Sequence, residues 1–195
     1  MGRDHRREAA IAGHRSDETT ARPLLGDPDP AVRATALGAL GRAGALRAAD
    51  VEHALADADA GVRRRACEEA VGLTDVDLVP RLTDVDVSVV EAAAWALGER
   101  GSDAAGAVDA LVSVAREHDD ALSREAAVAA LGAIGDTRGL DTVLAAASSD
   151  RPAVRRRAVV ALAAFDGPEV EAALRAALND RDWQVRQAAE DLLAD

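Results

Sequence analysis

The chain has 195 residues, a formal net charge of −12 and a hydrophobic content of 49%. The negative charge argues against non-specific binding to nucleic acid, which depends on cations that neutralise phosphates, and against binding to an anionic membrane surface. No apolar run reaches the roughly 18 residues of a membrane span, and the N-terminal segment lacks the apolar stretch of a signal peptide. The single cysteine excludes an internal disulfide, which favours a cytoplasmic protein.

A short phrase recurs along the chain and indicates its architecture. It reads DPDPAVR at 27–33 and DADAGVR at 57–63, with shorter or degenerate copies at 84–90, 118–124, 151–155 and 180–186. The valine of the phrase, or the residue in its place, defines position 0 of each repeat: Val32, Val62, Val89, Ser123, Val154 and Val185. Successive positions lie 27 to 34 residues apart. Self-similarity at this period predicts a stack of repeats.

Each repeat is predicted to contain two helices. Apolar segments before the phrase predict a first helix, helix A, at 51–55, 78–82, 108–114, 140–144 and 170–178. After the phrase, apolar residues at positions 0, +4, +5 and +8 form one stripe of a second helix, helix B. The aspartates of the phrase are suited to cap the N terminus of helix B. A glycine often follows position +8, as at Gly41, Gly98 and Gly132, and predicts that helix B ends there.

The N-terminal end of the array is predicted to be a cap. Residues 5–13 are expected to form a lone helix, because Arg7–Ala12 echoes the start of a helix B at Arg124–Ala129. Residues 1–4 are expected to be disordered.

The C-terminal end carries a polar residue where the other repeats are apolar. At position +5 the last repeat has Glu190, which is expected to face solvent, whereas repeat 2 has Cys67, which is expected to be a packed thiol rather than a nucleophile. Trp183 is expected to cover the last helix pair.

The predicted fold is therefore all-α: a right-handed α-solenoid of about six two-helix repeats, preceded by a capping helix. Residues 1–16 are assigned to the N-terminal capping helix with its disordered start, and residues 17–195 to the solenoid as a single domain.

The wording of helix B resembles a known family. The segments DPDPAVRATALGALGRAG, SREAAVAALGAIGDTRG and DRDWQVRQAAEDLL look like the short HEAT-like repeat of about 30 residues that is associated with phycobilin lyases. The resemblance covers residues 17–195. It implies the solenoid fold, and it raises the alternative of a lyase-type enzyme or an enzyme accessory protein.

Three enzyme families on related scaffolds give sharper comparisons. Helix B of repeat 4 resembles that of deoxyhypusine hydroxylase, whose di-iron site uses His-Glu dipeptides, but Arg124-Glu125 stands at that place and the chain contains no His-Glu dipeptide. No metal or other cofactor is therefore expected. In a phycobilin lyase, arginines of helix B would face the propionates of the tetrapyrrole, although an aromatic content of 2% disfavours a flat chromophore site. The resemblance to HEAT-like alkylpurine DNA glycosylases is opposed by the acidic charge of the chain. The arginines that could face propionates are Arg64, Arg65, Arg156 and Arg157.

An arginine recurs at position +1 of helix B. The structural interpretation is a ladder of ion pairs in which each arginine meets the turn aspartate of a neighbouring repeat. Val90 replaces this arginine in repeat 3 and is expected to interrupt the ladder and to loosen or bend the stack there. The arginines are Arg33, Arg63, Arg124, Arg155 and Arg186.

The face of helix B opposite its apolar stripe, at positions +2, +3, +6 and +10, is predicted to line the concave surface and to bind a partner. Trp95 stands in the middle of this face, where it either packs over neighbouring small residues such as Ala129 or anchors the partner. The predicted partner-binding residues are Arg64, Arg65, Glu68, Glu91, Trp95, Glu99, Glu125, Arg156, Arg157 and Val160.

These features favour a non-enzymatic protein–protein interaction scaffold, monomeric and cytoplasmic, that binds another protein or a peptide segment in its groove. No catalytic or metal-binding residue is predicted.

Overall fold

The computed structural model describes residues 2–15 and 17–194. These residues form twelve α-helices and no strand, so the all-α prediction is confirmed. The α-helices are α1 (Gly2–Arg15), α2 (Glu18–Ala21), α3 (Pro30–Arg42), α4 (Ala48–Leu55), α5 (Ala60–Glu69), α6 (Val87–Glu99), α7 (Val108–Glu117), α8 (Ala121–Ile134), α9 (Leu140–Ser149), α10 (Pro152–Ala161), α11 (Pro168–Ala177) and α12 (Trp183–Ala194). Short 3₁₀ segments lie at Arg22–Gly26, Val79–Thr83, Gly101–Ala107, Thr137–Gly139 and Leu162–Ala164.

The chain divides into two compact halves, an N-terminal half (Met1–Ala96) and a C-terminal half (Leu97–Asp195). In the N-terminal half α1 packs on α3 and α3 on α5; in the C-terminal half α8 packs on α10 and α10 on α12. Neighbouring B helices therefore stack within each half, as repeats require. The right-handed path of the whole array and the boundary between residues 16 and 17 stay predictions.

Helix B forms in every repeat, and the reason is visible in its cap. In five of the six repeats an aspartate three residues before position 0 accepts a hydrogen bond from a backbone N–H of the first turn; Asp29, for example, accepts from Ala31 at 2.9 Å. In repeat 5 this position is Arg151, which makes no side-chain cap, and α10 begins with Pro152 instead. The six residues at position 0 are all buried, and the internal +5 residues are buried as well. Glu190, at +5 of the last repeat, is exposed as predicted.

Helix A is less regular than helix B. In repeat 1 it consists of α2 and a 3₁₀ segment, and in repeat 3 it is reduced to the 3₁₀ segment Val79–Thr83. Repeat 3 is the shortest step, with 27 residues between Val62 and Val89, and Pro80 lacks the N–H that an α-helix interior needs. The chain in this repeat is therefore too short for a full helix A.

The N-terminal helix α1 is longer than the predicted 5–13, since it begins at Gly2. Its register on the next repeat also differs from the sequence echo by two residues. Ala9 and Ala12 are buried, whereas Ile11, which the echo aligns with the core residue Val128, is 39% exposed. The comparison of the two segments matched residue types alone, whereas the buried residues of α1 are those on the face that contacts α3.

The glycines after position +8 do not end helix B. Gly41, Gly98 and Gly132 lie inside the last turns of α3, α6 and α8, and the left-handed conformation that ends α8 belongs to Gly135, with φ of 68°. A methyl group added at Gly132 would lie 2.6 Å from Cβ and 2.9 Å from Cα of Ala161 in α10. The glycine is required because two B helices approach each other closely at this point.

We expect Gly132→Ala to destabilise the protein by about 2 kcal/mol, because backbone atoms of α10 would have to move to admit the methyl group. The control is Gly106→Ala, where an added methyl group meets no atom within 4 Å. It should be neutral or slightly stabilising. Denaturant unfolding followed by circular dichroism measures both variants, and equal stabilities would contradict the close-approach argument.

Candidate partner-binding face

The turn edge of the array, where the B helices begin, is occupied by the predicted ladder. Four of the five arginines at +1 make two parallel hydrogen bonds, through Nε and Nη2, to the carboxylate that opens the next repeat, at 2.7–2.9 Å. This bidentate geometry gives strong charge-assisted bonds. The pairs are Arg33–Asp57 and Arg63–Asp84 in the N-terminal half, and Arg124–Asp150 and Arg155–Asp180 in the C-terminal half.

Each ladder arginine is further tied to the turn of its own repeat. Nη1 of Arg63, for example, donates to the backbone carbonyls of Asp57 at 3.0 Å and Ala58 at 3.1 Å. The hydrogen bonds from the arginines lower the pKa values of Asp57, Asp84, Asp150 and Asp180, against the opposing effect of desolvation. The ladder therefore joins repeats and leaves its arginines engaged within the fold.

The ladder extends to α1 through a residue that the sequence analysis missed. Nδ1 of His5 lies 2.6 Å from Oδ2 of Asp27, in the place that arginine takes in later repeats. A hydrogen bond from the backbone N–H of Asp29 lowers the pKa of Asp27, and His5 adds to this effect. The sequence match to Arg124 places Arg7 at position +1 of helix B. Placing His5 at +1 instead, as the equivalent of Arg33, gives the register that the structure shows.

The ladder is predicted to be interrupted in repeat 3, where the arginine is missing, and the aspartate that it would bind is also missing from the start of repeat 4. Val90 is a buried valine with no group that can donate, and His118 stands where other repeats begin with the turn aspartate. Nδ1 of His118 accepts a hydrogen bond from the backbone N–H of Asp120 at 3.1 Å, so the histidine replaces the aspartate within the turn. A looser or bent stack at this point stays a prediction.

We expect Arg155→Met to destabilise the protein by about 3 kcal/mol, because it leaves the Asp180 carboxylate without its partner while keeping the apolar volume. The Arg155 side chain is only 2% exposed. Arg186→Met is the matched control, since Arg186 makes the same bond to its own turn, at 2.8 Å from the carbonyl of Asp180, but forms no ion pair with any residue in the described ranges. Its loss should be about 1 kcal/mol.

Equal losses in the two variants, measured by denaturant unfolding, would show that the ladder ion pair adds no stability beyond the turn hydrogen bond.

The predicted partner-binding residues of the N-terminal half lie on the exposed side of α5 and α6. Arg64 and Trp95 are exposed, and Arg65, Glu68 and Glu91 are half-buried. Glu68 accepts from Arg64 at 2.7 Å and from Arg65 at 3.1 Å, so these three side chains form one cluster.

Trp95 is the largest apolar group on this face. Its side chain is 47% exposed, whereas Val89 and Ala93 on the opposite side of α6 are fully buried. The indole is therefore accessible to a partner.

The predicted residues of the C-terminal half form a second patch. Glu99 and Val160 are exposed, the latter at 45%, and Glu125, Arg156 and Arg157 are half-buried. Nη2 of Arg157 lies 3.4 Å from Oε1 of Glu125. Beside Arg157 and Val160 is a groove of about 370 Å³ whose other lining residues are alanines and Gly132.

Two other sequence predictions concern single residues. Trp183 does not cover the last helix pair, since it is 64% exposed; it is the first residue of α12, whose first turn is capped by Asp182 through a 2.9 Å bond from the N–H of Gln184. The equivalent position of repeat 1 is held by Pro30. Cys67 is fully buried, and burial raises the pKa of its thiol to about 12.

Within residues 2–15 and 17–194, no group of three or more His, Cys, Asp or Glu side chains is placed to hold a metal ion. None of the helices in these ranges is both long and apolar enough to cross a membrane.

Comparisons with known proteins agree with this architecture. Residues 108–194 match the family model of HEAT repeats, and no curated protein sequence matches the chain. The complex of CpcE and CpcF of phycocyanin lyase from Nostoc sp. PCC7120 is similar at 25% identity and a TM-score of 0.63, over 90% of this chain and 75% of that chain.

Two further solved structures share the fold. A designed armadillo repeat protein in complex with the peptide (KR)4 is 18% identical, with a TM-score of 0.61 over 98% of this chain and 97% of that chain. Human deoxyhypusine hydroxylase is 21% identical, with a TM-score of 0.52 over 97% of this chain and 78% of that chain. The chain is an all-α repeat protein with the fold of these HEAT and armadillo structures, and its residues 108–194 are similar to HEAT repeats.

Proposed function

We propose that this protein is a non-enzymatic interaction scaffold, monomeric and cytoplasmic, whose exposed B-helix face binds another protein or a peptide segment. The observation that carries the proposal is the exposure of Trp95. A tryptophan on the outer side of a helix whose opposite side is fully packed contributes little to folding and much to binding, because indoles are frequent anchors of interfaces. The designed armadillo protein bound to (KR)4 supports a peptide as one form of partner.

Charged residues of each half would contribute to the specificity separately. The cluster of Arg64, Arg65 and Glu68 in the same half as Trp95 offers both signs of charge, and its ion pairs are exposed enough to exchange partners. The patch of Glu125, Arg157 and Val160 would contribute a second contact of mixed character.

A second candidate is a lyase-type enzyme or an enzyme accessory protein. The likeness to the CpcE–CpcF complex of phycocyanin lyase favours it, since that match covers most of both chains. This second candidate function predicts that a free bilin binds the purified protein and that the absorbance spectrum of the bilin changes. The scaffold proposal predicts an unchanged bilin spectrum.

The scaffold proposal is tested with a partner identified by affinity purification from the native host and then purified. We expect Trp95→Ala to weaken its binding by about thirtyfold, which corresponds to about 2 kcal/mol, and to change stability by less than about 0.5 kcal/mol. Trp183→Ala is the matched control, because it removes the other exposed indole, which lies at the turn edge, and should leave affinity unchanged.

Fluorescence gives a direct readout on the same complex. The chain contains two tryptophans, so Trp183→Phe leaves Trp95 as the single indole. Its emission should shift to the blue and become protected from acrylamide when the partner binds. Lost stability with unchanged affinity in Trp95→Ala, or an emission that the partner does not alter, would contradict the proposal.

A further inference from the structure

Four arginines converge on a shallow pocket in the N-terminal half. Arg6 comes from α1, Arg42 from the last turn of α3, and Arg64 and Arg65 from α5. The pocket has a volume of about 380 Å³, and the carboxylate among its lining residues is that of Asp59. In a chain of net charge −12, this is a local concentration of positive charge. We refer to it as the arginine pocket.

Two of the four guanidinium groups form no ion pair with the described residues, although the charge of Arg42 also acts on Glu69. Arg64 and Arg65 share Glu68, and Arg65 also lies 3.4 Å from Glu69. Arg6 and Arg42 are exposed, and neither makes an ion pair with any residue in the described ranges. Their positive charge is therefore available to a ligand.

The carboxylates near the pocket are already engaged or buried. Asp59 accepts from the backbone N–H of Val62 at 3.2 Å as the cap of α5. Burial raises the pKa of Glu69, while the charges of Arg65 and Arg42 oppose that shift, and Glu69 is not among the residues that line the pocket.

The backbone adds to this preference for anions. The first turns of α3 and α5 line the pocket through Pro30, Ala31 and Gly61. The N-terminal end of a helix carries partial positive charge and attracts carboxylates. The small residues also keep the pocket open; the position that Gly61 takes in repeat 2 is held by the bulky, 57% exposed Leu122 in repeat 4.

We propose that the arginine pocket binds the carboxylates of an acidic peptide segment. This inference rests on the proposed function and specifies the charge of the partner in the N-terminal half. Guanidinium groups bind carboxylates through paired hydrogen bonds, and two uncompensated arginines facing one pocket match two neighbouring acidic side chains. At physiological ionic strength charges beyond about 8 Å are screened, so the local arginines outweigh the negative net charge of the chain.

The test uses fluorescein-labelled octaglutamate as the probe and fluorescence anisotropy as the readout. The parent protein should bind it saturably. The double variant Arg6→Gln/Arg42→Gln should bind at least about tenfold more weakly, because it removes both uncompensated charges. The control Arg116→Gln/Arg151→Gln removes two other exposed arginines and the same net charge, and its affinity should stay within about twofold of the parent. All four positions are exposed, and circular dichroism checks that both variants are folded.

Three results would overturn the inference. The first is that the parent does not bind octaglutamate, and the second is that both double variants bind it equally weakly. The third is complete displacement of the probe by inorganic phosphate at matched ionic strength, which would indicate a site for a free anion. Octaglutamate lacks an apolar anchor, so Trp95→Ala should bind it as the parent does. The scaffold proposal is judged instead by the loss of the native partner in Trp95→Ala, and the two proposals therefore fail on different readouts.

Discussion

The bidentate contact between an arginine of one helix B and the turn aspartate of the next repeat is the interaction on which the rest of the structure depends. Wherever the pair forms, it fixes the start of one helix B relative to the next, since the same aspartate also shapes the turn; Oδ1 of Asp57, for example, accepts from the N–H of Asp59 at 2.9 Å. The arginine in turn holds its own turn through carbonyl contacts. One side chain thus sets both the local turn and the spacing of repeats.

This arrangement divides the surface of helix B by role. The turn edge is filled by saturated ion pairs, the apolar stripe is buried, and glycines such as Gly132 let neighbouring helices approach closely. What remains is the face at +2, +3, +6 and +10, where residue types differ from repeat to repeat. Where these positions are exposed, as at Arg64 and Trp95, packing does not constrain the residue type, so their side chains are free to serve recognition.

The sequence predicted what depends on the period of the repeat and missed what depends on individual contacts. The buried stripe and the ladder recur with the phrase, so both could be found without a structure. The role of His5 could not be predicted, because the residue type differs from the arginine that stands at this position in other repeats. Repeat 3 lacks a full helix A because it is the shortest repeat. Its length could be read from the sequence, but only the structure shows that helix A is the element that is shortened. The arginine pocket unites residues from three helices that are far apart in the sequence, so no local pattern indicates it.

The most direct test of the central claim is the titration of the ladder aspartates by side-chain carboxyl NMR. The account predicts that Asp57, Asp84, Asp150 and Asp180 all titrate below the ordinary aspartate value of about 3.9, because each carboxylate is held by an arginine. A lowered folded-state pKa means that the ladder stabilises the fold above this pH and loses that contribution as the pH falls through the folded-state value. Ordinary or raised pKa values at these four positions would contradict the account.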